Sequence, residues 1–271
     1  MAEADRNKLK RTFDQDAELY DKARPDYPEQ IFDDLFAIGG LAHNATVLEL
    51  GCGTGQATRH FARRGCRVVC VELGENLAAI ARRNLASFPR VEVVTSNFES
   101  WEPRESVFDM VFASSSWHWL DPDVRYKKAA RVLKPRGILA IVDNGHAFPD
   151  GFDPFFTEIQ RCYEAIGEPH LEWPPPRPDL EPDRREEIER TSLFEVVGVK
   201  RHMWPVDYSA DTYIDVLNTY SGHIAWEQWK RDKLYADVRR LIARRPDARI
   251  RKHYLNILQV CRRISPQFLQ D

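Results

Sequence analysis

This 271-residue sequence has few cysteines and lacks long apolar runs, and each shortage excludes something. There are five cysteines, Cys52, Cys66, Cys70, Cys162 and Cys261, an odd number with no pair at CxxC spacing. That excludes a disulfide framework and a zinc site and predicts a reducing compartment. No apolar run approaches the roughly 20 residues that a membrane span needs. The opening stretch is charged from Asp5 to Asp21, unlike an export leader. A net charge of -3 gives no general pull toward nucleic acid or an anionic membrane. Internal repeats and low-complexity tracts are also missing. The expectation is a soluble, cytoplasmic protein; its oligomeric state, monomer or dimer, is left open.

What remains, 43% apolar and 30% charged residues, is ordinary for a globular enzyme. Between Thr46 and Asn144 short apolar runs alternate with helical patterns. Thr46–Leu50, Arg67–Val71, Val91–Thr95, Phe108–Ala113 and Ile138–Val142 have strand length and are apolar on both faces. Such strands lie in the middle of a sheet covered by helices. Leu77, Ile80, Ala81 and Leu85 form one helical stripe. Asp121–Leu133 reads as a helix capped by Asp121, with Pro122 at its first position. The alternation predicts an α/β fold with a doubly wound, mostly parallel sheet. Trp173–Pro178 (WPPPRP) is a loop, because consecutive prolines remove backbone donors. Asp183–Arg190 reads as a charge-rich helix with a solvated face. Phe194–Lys200 and His202–Tyr208 read as an antiparallel hairpin at the sheet edge. Beyond them, Leu234, Val238, Leu241 and Ile242 share a helical face, and so do Ile250, Tyr254, Ile257, Leu258 and Cys261. The domains are thus an N-terminal helical segment (1–40), a core (41–208, with a cap insertion at about 150–190) and a C-terminal helical subdomain (209–271).

The most informative stretch is Val47–Gln56, VLELGCGTGQ, where a buried strand runs into Gly51, Gly53 and Gly55 and then into a helix. Glycines let the backbone turn sharply and approach a ligand, and the following helix supplies unpaired N–H groups. Glu72 ends the next strand, 21 positions after Gly51, where a carboxylate can accept from a ribose diol. A dinucleotide fingerprint, G-x-G-x-x-G, wants a third glycine where this sequence has Gln56. That residue opposes a nicotinamide-dependent oxidoreductase.

The form E-L-G-C-G-T-G (49–55) resembles motif I of the class I S-adenosylmethionine-dependent methyltransferases. V-F-D-M-V-F-A-S (107–114) is similar to the family's fourth-strand motif, and R-V-L-K-P-R-G-I-L (131–139) to its entry into the fifth strand. The resemblance covers about residues 45–145. Three outer segments are similar to the group that includes trans-aconitate methyltransferases: Tyr20-Asp-Lys-Ala-Arg24-Pro25-Asp-Tyr27-Pro28, Trp117-His118-Trp119-Leu-Asp121-Pro122, and Thr219-Tyr220-Ser221.

The resemblance implies a Rossmann-like seven-stranded sheet with helical caps at both ends, S-adenosyl-L-methionine as cofactor, and a small-molecule acceptor. A carboxylate or hydroxyl is the expected methyl-receiving group, while the sequence leaves open whether oxygen, nitrogen, carbon or sulfur is methylated. The resemblance also implies that Gly51 and Gly53 lie under the methionine portion of the cofactor, with Glu49, Thr54, Gly55 and Gln56 in the same loop. Glu72 is expected to hold the ribose and Leu73 to lie against the adenine. Where the family often has Asp, this sequence has Asn97, with Phe98 beside it. Ser114 is expected near the cofactor's amino group, and Tyr20 and Arg24 at its carboxylate, which Arg can grip with two donors. His118 reads as a base, as a donor that positions the acceptor, or as a structural histidine in an aromatic cluster. Trp117, Tyr220 and His223 are further candidates for acceptor contacts, with core packing as the alternative reading. No metal is expected. A nucleic-acid methyltransferase lacks support, since Ser114-Ser115-Ser116-Trp117 replaces the N/D-P-P-Y/F tetrapeptide of the amino-methylating enzymes. A module that binds the cofactor without turnover is a third reading.

Overall fold

The computed structural model describes residues 14–169, 173 and 175–264. In chain order these form α1 (Ala17–Ala23), α2 (Glu29–Gly39), β1 (Thr46–Leu50), α3 (Gln56–Arg63), β2 (Arg67–Glu72), α4 (Glu75–Asn84), β3 (Val91–Thr95) and β4 (Phe108–Ser114). A short 3₁₀ turn, Trp117–Trp119, leads to α5 (Pro122–Val132) and β5 (Leu133–Ala147). Then follow α6 (Phe155–Glu158), α7 (Gln160–Ala165), α8 (Arg185–Glu189), β6 (Phe194–Tyr208), α9 (Ala210–Leu217), α10 (Ser221–Ala225), α11 (Gln228–Ala243) and β7 (Ile250–Arg263).

The strands make one seven-stranded sheet in the order β3-β2-β1-β4-β5-β7-β6. β1 to β5 are parallel, and β7 runs antiparallel between β5 and β6. Both faces are covered, as the apolar runs require. In β1, Val47 packs into the core layer with α2 and α3, while its neighbour Leu48 packs into the layer with α5. The Asp121 side chain accepts from the Asp123 N–H at 2.9 Å, so the cap and the proline at the start of α5 do what their sequence positions suggest.

Two expectations for the second half are corrected. Phe194–Lys200 and His202–Tyr208 are not two strands of a hairpin but one continuous strand, β6, bulged between Val196 and Gly198. Its partner is β7, so residues 250–263 are strand and not helix, and they belong to the sheet. The helical stretch after β6 therefore ends at Ala243. The misreading has a physical cause. A strand between two others is buried on both faces, which erases the period-2 signal. Here it also buries Lys252, Asn256 and Gln259 among the apolar residues. The charge-rich stretch around α8 is not simply a solvated face either: Glu187 accepts from Arg125, Tyr126 and Arg184, and Ile188 is fully buried. The described part of the proline stretch, residues 173 and 175–178, is loop, as expected.

An interior β7 makes a testable demand. Leu258 packs against the layer of α2 and β1 with no exposed surface. Leu258→Ala should cost about 2–5 kcal/mol in denaturant unfolding. A loss below about 1 kcal/mol, the range of surface changes, would contradict a central strand.

Candidate functional site

The strand order reverses between β1 and β4, and a crevice opens beyond the carboxyl ends of strands at such a point. A cavity of about 430 Å³ lies there. Its floor is backbone. Gly51 follows β1 with φ +67°, and a Cβ at that position would lie 2.7 Å from the Cβ of Ser116. Gly53 has φ +57°, beside the ring of Tyr20. Left-handed backbone and a blocked Cβ together restrict Gly51 to glycine.

Glu72, the last residue of β2, is buried in the wall. One carboxylate oxygen accepts from the Gly53 N–H at 2.9 Å and the other from the Gly74 N–H at 2.9 Å. Burial raises its pKa, while the Gly74 and Gly53 N–H groups pull it back down. Beyond β3, Asn97 and Phe98 form part of the lining, and the Asn97 amide oxygen accepts from the Glu99 N–H at 3.0 Å. At the end of β4, Ser114 Oγ donates to Tyr27 Oη at 2.9 Å and accepts from Asn144 Nδ2 at 2.8 Å.

α1 brings Tyr20 and Arg24 to the lining. It is held there by Ala17 against Leu77 and Ile80, and the preceding Asp14 accepts from the Leu77 N–H at 2.9 Å. The Arg24 guanidinium sits over the rings of Tyr20 and Tyr220, at 5.1 and 4.8 Å, and donates to the Thr219 carbonyl at 2.9 Å. Its Nε is buried without a hydrogen-bond partner among the described residues.

Nine of the thirteen residues expected at the cofactor border this cavity; Glu49, Thr54, Gly55 and Gln56 do not. Glu49 is buried behind the loop, where its carboxylate accepts from Thr58 Oγ1 at 2.7 Å. Burial, reinforced by the charge of Glu72, pushes the Glu49 carboxyl up to about 7, with the Thr58 bond opposing. Gly55 caps α3 at φ +93°, where a Cβ would meet Leu85 at 2.9 Å, so this glycine serves packing.

Among the acceptor candidates, Trp117 lies in the core against Tyr126, at 5.0 Å between ring centroids, and away from the cavity. Its neighbour Trp119 borders the cavity instead. His118 is exposed at the lining, its ring 4.8 Å from that of Trp119. Desolvation pulls the imidazole pKa below its ordinary value, and the charge of Asp143 opposes this. Tyr220 borders both this cavity and a second one of about 860 Å³. His223 borders only the second, where Nε2 lies 3.2 Å from Tyr163 Oη and burial takes the pKa down to about 4. Asn144 and Tyr27 were not foreseen. No local pattern marks Asn144, which reaches Ser114 only because β5 pairs with β4.

No described helix is long and apolar enough to cross a membrane. Residues 48–141 match the family model described as a methyltransferase domain. An uncharacterized methyltransferase of Mycobacterium tuberculosis is 29% identical over 230 residues, 84% of each chain. The malonyl-[acyl-carrier protein] O-methyltransferase of Geobacter sulfurreducens is 32% identical over 167 residues, 59% of each. Among solved structures, one from Anaeromyxobacter dehalogenans assigned as a type II methyltransferase matches with a TM-score of 0.64 at 23% identity. It spans 88% of this chain and 97% of that one, and it carries the same fold. The glycine-floored crevice at the strand reversal and the methyltransferase relatives converge: the chain belongs to the class I S-adenosylmethionine-dependent methyltransferases.

Proposed function

We propose that the 430 Å³ cavity holds S-adenosylmethionine and that the chain passes the methyl group to an oxygen, a carboxylate or hydroxyl, of a small molecule. The observation that carries this reading is Glu72, a buried carboxylate directed at a backbone floor on which Gly51 tolerates no side chain. The polar groups fit. Each Glu72 oxygen accepts one backbone N–H and keeps lone-pair capacity for a ribose hydroxyl. Leu73 and Phe98 offer apolar surface to a purine, and Asn97 keeps acceptor capacity beside its bond to Glu99. Ser114 faces the amino group, and Arg24, whose buried Nε lacks a partner among the described residues, takes the carboxylate with Tyr20 beside it. An oxygen acceptor is supported by the name of the Geobacter relative, an O-methyltransferase.

The bound cofactor supplies a methyl group on a sulfonium, open to in-line displacement. The chain's part is to bind, align and exclude water. Holding two reactants at about 3–3.5 Å supplies roughly 7–11 kcal/mol of a barrier, which is why so few polar groups suffice. His118 positions the acceptor. Its imidazole has a lowered pKa and is neutral at pH 7, and its side chain makes no hydrogen bond to a carboxylate among the described residues.

Glu72→Gln keeps the shape but removes the charge that two ribose hydroxyls would meet. Cofactor affinity should fall about ten- to hundredfold by calorimetric titration, with the melting temperature as the check on folding. An unchanged dissociation constant would remove Glu72 from the site. Because burial raises the Glu72 pKa and only the carboxylate accepts from a diol at both oxygens, affinity in the wild type should begin to fall on acidification before an ordinary glutamate titrates.

His118→Ala should raise KM while lowering kcat less than tenfold. A kcat lower by about 10²–10⁴, with loss of an acid limb lying below pH ~6.5, would make His118 the base instead.

A further inference from the structure

The cofactor cavity shares Arg24, Ser115, Asn144 and Tyr220 with the larger cavity of about 860 Å³, and the chemistry of that second space is distinctive. Its floor is one face of the β5–β7 pair. Asn144 lies opposite Asn256 and His146 opposite Tyr254, and Lys252 is two residues from Tyr254 on the same face. The walls are aromatic: Phe156, Tyr163, Tyr213 and Trp226 come from α6 to α10 and the turn that follows, and Phe148 from the turn after β5. Into this space comes Lys252, which is only 2% exposed.

Lys252 is buried with no carboxylate partner among the described residues. Burial lowers its pKa, and the groups it feels are the phenol of Tyr220, to which it hydrogen-bonds, and the like charge of Arg24. Its ammonium rests over the rings of Tyr254 and Tyr220, at 5.0 and 5.8 Å. Two acids also border the cavity. Glu168 is already answered by Lys230 at 2.5 Å, and Glu181 is half-exposed on the loop before α8. Ring faces offset only part of the cost of burying an ammonium, and a buried charge is ordinarily paired.

We propose that the second cavity receives the methyl acceptor, and that the acceptor is an aromatic molecule bearing one carboxylate, which lies on Lys252. The proposal rests on the first cavity being the cofactor site, because the shared wall is what would bring acceptor and methyl group together. A carboxylate fits better than a phosphate ester. One ammonium meets one negative charge, the neighbouring Arg24 is the group assigned above to the cofactor's carboxylate, and a phosphate ester carries nearly two charges at neutral pH. A cation beside an oxygen lowers its nucleophilicity, so this carboxylate anchors the molecule and a different group takes the methyl.

The test is calorimetric titration of the full chain, with and without saturating S-adenosylhomocysteine, by 2-naphthoate, its neutral isostere 2-naphthamide and 2-naphthyl phosphate. The acid should bind at least about tenfold more tightly than the amide and more tightly than the phosphate. Lys252→Met should remove that preference by weakening the acid alone, leaving the affinity for S-adenosylhomocysteine unchanged. Equal binding of acid and amide, tighter binding of the phosphate, no binding of the acid, or an unaltered preference in the variant would each overturn the proposal. Should Lys252→Met not fold, the acid-to-amide ratio of the wild type decides by itself. If S-adenosylhomocysteine fails to bind while the acid keeps its preference, the cofactor reading falls and the Lys252 site stands.

Discussion

Glu72 joins the two loops that frame the cofactor cavity. The loop after β1 carries the glycines, and the loop after β2 begins α4. The Glu72 carboxylate spans them by accepting from Gly53 on one side and Gly74 on the other. Each glycine loop is free to adopt many conformations, and freezing it costs about 1–2 kcal/mol per residue in backbone entropy. Charge-assisted bonds to a buried carboxylate are among the stronger ways to offset that cost. The same carboxylate forms one wall of the cavity, so the group that shapes the site is also the group with acceptor capacity left over.

The parallel half of the molecule was legible in the sequence because its signals are local. A buried strand, three glycines and a helix follow one another within Val47–Arg63, and the acidic end of β2 is the next strand along. Glu49 and Gly55 show the limit of such reading: both sit in the motif, yet one is buried against Thr58 and the other packs on Leu85. Trp117 and Trp119 show another. Two residues apart on a short 3₁₀ turn, they go to the core and to the cavity respectively, and nothing in W-H-W says which does which.

The antiparallel half was misread because its information is long-range. β7 is recognisable as a strand only once β5 and β6 are known to flank it. As a helix, residues 250–263 would have put Tyr254 on the face opposite Lys252 and Asn256. As a strand these three share a face with Asn144 and His146, and Lys252 and Tyr254 line the floor of the second cavity. The correction in fold therefore also changes what lines the second cavity: residues of β7 reach it through the sheet, alongside the helices.

Most directly, a crystal structure of the full chain with S-adenosylhomocysteine would test the central claim that Glu72 and the glycine floor receive the cofactor. The account predicts both ribose hydroxyls within about 3.2 Å of the Glu72 carboxylate oxygens, and the sulfur directed toward the wall shared with the second cavity. A ribose bound elsewhere, with Glu72 still closed on Gly53 and Gly74 alone, would contradict it.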